Sequence, residues 1–168
     1  MSNAIEAELL VHLDAQIASA QRLLGYVLEQ GKSIRARNVD AVLARLADIQ
    51  TEMGRRGSLE QDRAGLLQRA GAALGVQAAA VTLEHLCALV SPGAAQAARD
   101  RSAELRGLLA EIAREHGINR ALMRQELAFL AHLTRLIGNE PEAGYGHPTT
   151  GNAQPSVPAL HRVLDLKA

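Results

Sequence analysis

Six histidines and a single cysteine are the side chains best suited to chemistry in this chain, and their spacing decides what they could do. A metal centre inside a helical bundle asks for Glu-x-x-His pairs on facing helices. Glu84-His85 and Glu115-His116 are adjacent instead, and neighbours on a helix of ~3.6 residues per turn diverge by about 100°. No His-Glu-x-x-His zinc signature occurs. As phosphate acceptors, His85 and His116 lack the Lys-Gly that usually follows such a histidine; the chain reads His85-Leu-Cys-Ala and His116-Gly-Ile-Asn. Cys87 stands alone, so neither an internal disulfide nor a cysteine metal site can form. In an apolar helix it reads as a small core residue.

Gly144-Tyr-Gly-His-Pro-Thr-Thr-Gly151 superficially resembles a phosphate-cradling loop. Such loops join a strand to a helix whose N-terminus holds the anion, and they carry a lysine. This stretch has neither feature. No nucleophile-base arrangement can be placed among the Ser, Thr and acidic residues. The sequence therefore points away from an enzyme, with no metal or cofactor expected.

What remains is binding. Asn119 interrupts an apolar seam between Ile112 and Leu122, and a buried amide left unpaired costs ~1–3 kcal/mol. It either sets the register between helices, as polar residues do in coiled coils, or recognises a partner's backbone. Met123 beside it suits an adaptable surface or ordinary core.

The elements that position these residues are helical. Ala and Leu dominate the apolar fraction, while Tyr26, Phe129 and Tyr145 are the only aromatics. That balance favours helices over strands. Eighteen basic and eighteen acidic residues cancel, so no basic face announces nucleic acid and nothing suggests attraction to anionic lipid. Glu6 and Glu8 replace a basic leader, and no apolar run approaches the ~20 residues of a membrane span. A cytoplasmic protein is expected.

The spacing predicts helices over about 5–37, 39–74, 78–90 and 92–138, together one helical domain spanning 1–138. In the first, Leu10, Leu13, Ile17, Ala20, Leu24, Val27 and Ile34 keep a heptad rhythm, with Gly31 on the same seam marking a close crossing or a loosening. Asn38 should cap the second helix, whose seam reads Val39, Val42, Leu46, Ile49 and Met53. Gly54 and Gly57 either break that helix or mark a register shift; one continuous helix is favoured because periodicity resumes at Leu59. The short connection makes the first two helices an antiparallel hairpin.

The last helix carries two apolar rows. Leu105, Leu108, Ile112, Asn119, Leu122, Phe129, Leu133 and Leu136 form one; Leu109, Ile112, Met123, Leu130, Leu133 and Ile137 form the other. A face that wide should meet at least two partners, which makes this stretch the expected organiser. The fold class is all-α: an elongated antiparallel hairpin or bundle with coiled-coil-like packing. From Asn139 prolines and glycines accumulate, predicting a flexible tail over 139–168. Its end, with Leu160, Val163 and Leu164 at helical spacing, is either a docking segment or a frayed terminus.

This layout resembles the FlgN-type flagellar export chaperones. The likeness is carried by Ile34-Arg-Ala-Arg-Asn-Val-Asp-Ala41 with Leu43-Ala-Arg-Leu-Ala-Asp-Ile49, by Gly117-Ile-Asn-Arg-Ala-Leu-Met123, and by the tail with Tyr145 and Leu164-Asp-Leu-Lys-Ala168. The resemblance implies a cytoplasmic chaperone of flagellar hook-associated proteins. Such a chaperone shields a terminal helical segment from premature assembly and hands it to the export apparatus. On that reading the expected client surface is Leu122, Met123, Leu130, Leu133 and Ile137, with Asn119 fixing register, and Tyr145 is the candidate contact with the export gate, by similarity to a tyrosine in tails of this type. The competing reading is a structural or adaptor coiled coil without a client, buried by oligomerising, for which a homodimer is the simplest form.

Overall fold

The computed structural model describes residues 2–138, and among these there are helices and turns but no strand. Helix α1 spans Ser2–Arg35 and α2 spans Val39–Leu74. A single 3-10 turn, Ala78–Ala80, leads to the short α3, Leu83–Ala88. Helix α4 runs from Pro92 to Gly138, 47 residues, or about 70 Å at ~1.5 Å per residue.

The punctuation between helices is chemical. At the end of α1, Arg37 takes a left-handed conformation (φ 54°), and the Asn38 N–H reaches back to the Ser33 carbonyl, the paired closure of a Schellman end. Asn38 then caps α2, its side chain accepting from the Ala41 N–H at 3.0 Å. Helix α2 continues unbroken past Gly54 and Gly57 and stops at Gly75, whose φ of 69° suits a residue without Cβ. The single helix expected over 78–90 is instead a 3-10 turn followed by α3. Thr82 explains the restart: its hydroxyl accepts from the His85 N–H while the His85 ring accepts from the Thr82 N–H, a capping box. Ser91 begins α4, accepting from the Ala94 N–H and donating its own N–H to Glu6 of α1.

Cross-helix pairs give the directions. Glu29 with Arg45, Arg22 with Glu52 and Glu8 with Arg69 make α1 and α2 antiparallel. Asp14 with Arg101, Val27 with Asn119 and Arg37 with Glu126 ascend together, so α4 runs parallel to α1. Helix α1 packs extensively against both α2 and α4, while α2 and α4 have little direct contact. The organiser is therefore α1, and the expectation that the last helix would hold this place is corrected. The buried residues of α1, among them Leu9, Leu13, Gln16, Ser19, Ala20, Leu23, Val27, Gln30, Gly31 and Ile34, cover an arc of roughly 160° at ~100° per residue, wide enough for two neighbours.

The core is concentrated at one end. Ile5, Leu9 and Leu13 of α1 pack with Leu66 and Ala70 of α2, Leu86 and Cys87 of α3, and Ala95 and Ala98 of α4. The small alanines let the backbones approach, and Cys87 fills a gap there, its thiol pushed up by burial. Along α4 the half-buried or buried positions Leu105, Leu108, Ile112, Glu115, Asn119, Leu122 and Glu126 alternate by four and three, the spacing of a coiled-coil seam.

Candidate functional site

With α1 in the middle and α2 and α4 on its flanks, a furrow opens between the flanking helices, floored by α1. Two cavities lie along it. The proximal one, about 590 Å³, is lined by Leu9, His12, Leu13 and Gln16 of α1, by Arg56, Glu60, Arg63, Leu66 and Leu67 of α2, and by Leu105 and Leu109 of α4, and is closed off by the 3-10 turn and α3. The distal one, about 420 Å³, lies between Ile34 and Arg37, the start of α2 at Val39, Val42 and Leu43, and Met123, Glu126, Leu127, Phe129 and Leu130 of α4.

One row of α4 links them. Leu109, Met123, Leu130 and Ile137 repeat at multiples of seven, and their exposure climbs from 37% through 41% and 55% to 74%. The facing row on α2, Val39, Leu46 and Met53, also repeats at seven and is exposed. These α2 residues were expected to form the seam against α1; Val39 lines the distal cavity instead, and Leu46 and Met53 continue its row at seven-residue steps, exposed. What α2 buries against α1 at mid-length is Glu52, whose carboxylate accepts from Ser19 at 2.7 Å, from Arg22 at 2.9 and 3.0 Å and from Arg55 at 3.2 Å. The Arg22 hydrogen bond, with further help from Ser19 and Arg55, lowers its pKa to about 2.

The distal cavity is the apolar one. Its single ion pair sits at the mouth, where Arg37 meets Glu126 at 3.4 Å and lies 5.9 Å from the Phe129 ring centroid. Beyond that level α1 and α2 have turned back, and the last nine residues of α4 project by about 13 Å at ~1.5 Å per residue, carrying exposed Leu136 and Ile137. The proximal cavity is mixed. Burial holds the His12 imidazole below its ordinary value although Asp62 and Glu60 pull the other way. Arg56 has its Nη1 buried with no hydrogen-bond acceptor, while its neighbours Glu52 and Glu60 are engaged by Arg55 and Arg63.

The residues named from sequence divide. Met123 and Leu130 line the distal cavity and Ile137 lies on the same row, highly exposed. Leu122 is half-buried in the α4 seam and Leu133 is half-buried one heptad past Glu126; neither lines the cavity. Asn119 is spent within the chain: it is buried, its amide donating to the Val27 carbonyl at 2.8 Å and to Gln30 Oε1 at 3.4 Å. Tyr145 falls outside the described residues. Sequence reasoning missed the α2 wall, Val39, Val42 and Leu43, and the α4 residues Leu127 and Phe129; the exposed heptad row on α2 was legible as a row but was assigned to the hairpin.

Among the described residues no group of His, Cys, Asp or Glu is placed to hold a metal ion, and no helix is long and apolar enough to cross a membrane. His85, considered as a phosphate acceptor, is occupied in capping α3. The family model described as FlgN protein matches residues 1–152, most of the chain. No curated protein and no solved structure matches.

Proposed function

Since the chain belongs to the FlgN family and is thereby a flagellar export chaperone, we propose that its furrow receives one amphipathic helix of a client as a fourth helix beside α1, α2 and α4. The client is the terminal helical segment of a flagellar hook-associated protein, held in the cytoplasm so that it does not polymerise and then passed to the export apparatus. The family is one of chaperones rather than enzymes.

The observation that supports this reading is the pair of facing exposed heptad rows, Leu109, Met123, Leu130 and Ile137 against Val39, Leu46 and Met53. An incoming helix with anchors at i, i+3, i+4 and i+7 would cover both rows. Each large apolar side chain buried contributes ~1.5–3 kcal/mol, so three or four anchors outweigh the cost of ordering a helix. Tyr145 is read as the contact with the export gate, in a stretch that the family match covers.

The test replaces Met123 and Leu130 together with Asp. Both are substantially exposed, so the chain should stay helical by circular dichroism while calorimetric titration with the terminal segment of a hook-associated protein loses its signal. Unchanged affinity would overturn the placement. Sedimentation of the same variant addresses the structural-coil reading: a dimer that dissociates on the double substitution would mean that a second copy covers the row.

A further inference from the structure

Resting on the furrow reading given above, we propose that the client helix carries its acidic residues along one edge only, the edge that faces α4, and that this edge fixes the direction in which the helix lies. The two lips of the furrow differ in charge. Three residues before Met123 and Leu130 on α4 stand Arg120 and Leu127, about 60° round the helix at ~100° per residue. Leu127 lines the distal cavity, so its row, Arg106, Ala113, Arg120 and Leu127 at steps of seven, is the α4 lip. Leu43 lines the same cavity from α2 and begins the facing lip, Leu43, Gln50, Gly57 and Ala64. None of the charged residues of α2 falls on its lip. The α4 lip carries two arginines, and Arg124 stands one turn past Arg120, just outside the row.

Those arginines are unmatched. The arginines that join helices are met within the chain, Arg45 by Glu29, Arg69 by Glu8, Arg99 by Glu84 and Arg101 by Asp14. Arg106, Arg120 and Arg124 are exposed and make no ion pair or side-chain hydrogen bond among the described residues. The α4 acids Glu104, Glu111 and Glu115 stand about 140–180° away round the helix and cannot serve them. Arg120 and Arg124, at i and i+4, repel each other. Arg56 lines the proximal cavity with its Nη1 buried, below the level of either lip, and does not choose between edges. Net charge is zero, so the surplus is local: a row of cations along one side of an apolar trough. Its complement is a helix with acids beside the apolar stripe on that side and uncharged residues on the other. Turning such a helix end for end exchanges its edges and sets the acids against the neutral lip. The unequal lips therefore select direction as well as composition, as charge rows flanking a coiled-coil seam do.

Two sets of substitutions with the same net change of charge separate the lips. The probe is the terminal segment of a hook-associated protein, titrated into the full chain by calorimetry. Arg106→Gln with Arg120→Gln and Arg124→Gln should weaken binding roughly three- to thirtyfold at low ionic strength. Ala47→Glu with Gln50→Glu and Ala64→Glu, on and beside the α2 lip, should leave affinity within about twofold. In about 1 M salt, where the Debye length is ~3 Å, the first loss should largely vanish. Equal losses in both sets, or none in the first, would overturn the proposal. So would a change in sedimentation of the arginine set without client, since the lip would then pair copies of this chain. Direction is read from methyl-labelled methionines: Met123 lines the distal cavity and Met53 lies farther along α2. A nitroxide at the N-terminus of the segment should broaden one of these methyls more than the other. Exchanging the acids of the segment's one edge with the uncharged residues of its other edge should reverse that order, and an unchanged order would overturn the proposal. If Met123→Asp with Leu130→Asp also leaves affinity intact, the furrow reading falls as well; if that pair abolishes binding while the arginine set does not weaken it, the lip proposal alone falls.

Discussion

Asn119 of α4 donates its amide to the carbonyl of Val27 on α1 at 2.8 Å, across 92 positions of sequence. The contact requires a gap in α1 one turn further on. A Cβ added at Gly31 would stand 2.6 Å from Asn119 Oδ1, closer than such atoms approach. Asn119 is held from the other side by Val27 and Gln30, so it cannot swing clear without giving up those bonds. Alanine normally stabilises a helix interior by up to ~1 kcal/mol over glycine. Gly31→Ala should do the opposite, destabilising by about 1–3 kcal/mol in denaturant melts. Gly54→Ala, with nothing near the added carbon, should stabilise. The double change Gly31→Ala, Asn119→Ala should recover part of the loss, and simple additivity in that cycle would sink the steric account.

A second polar pin, Glu52, makes stability depend on pH. Its folded pKa of about 2 lies below the ordinary 4.5, so its contribution is complete above about pH 4.5 and is lost as pH falls through about 2. A shift of this size corresponds to roughly 3 kcal/mol. Glu52→Gln keeps the shape, loses the charge-assisted bonds from Arg22, and should remove most of the slope of stability against pH between 4.5 and 2. An equally steep slope in the variant would assign acid sensitivity to other carboxylates.

Glu52 also explains how far the sequence could be read. Helix existence, the hairpin, and the boundaries at Asn38 and Pro92 were legible because caps and periodicity act locally. Which helix lies in the middle was not. Helix α1 looks narrow in sequence because Gln16, Ser19, Gln30 and Gly31 interrupt its apolar rhythm, yet all four are buried; Ser19 meets Glu52 of α2, and Gln30 and Gly31 meet Asn119 of α4, while Gln16 is paired with His12 of α1 itself. Helix α4 looks wide because its second row is apolar, and that row is the one left uncovered. Hydropathy alone cannot separate a row buried by this chain from one meant for another molecule. Met123 and Leu130, which line the distal cavity, entered as candidates that way, whereas Leu43 of the same lining was passed over because an exposed Val39-Leu46-Met53 row imitates a hairpin seam.

The turn beside the distal cavity holds a residue in an unfavourable conformation. Arg37 at φ 54° bears a cost of roughly 1 kcal/mol that glycine would not, and its side chain meets Glu126 and Phe129. Arg37→Gly and Arg37→Ala both remove those contacts, but only glycine relieves the backbone. Thermal melts should place the glycine variant above the alanine variant by several degrees. Equal melting temperatures would mean that the turn relaxes when the side chain is gone.

Arg56 separates a role in folding from a role in binding. Its Nη1 is buried without an acceptor, and the nearest acidic residues on α2 are taken up by Arg55 and Arg63. An unpaired, partly buried guanidinium does nothing for the free protein, since desolvation opposes it and no partner offsets that cost. Arg56→Met keeps the length of the stem and removes the charge. The isolated variant should be at least as stable as the parent, by up to about 1 kcal/mol. If the furrow takes a client helix, an acid or free carbonyl on that helix would supply the missing acceptor. Client affinity should then fall at least fivefold at low ionic strength, with a weaker dependence on salt than the parent shows. A variant that is less stable but binds equally well would show that Arg56 serves the bundle and that the client stays at the distal end of the furrow.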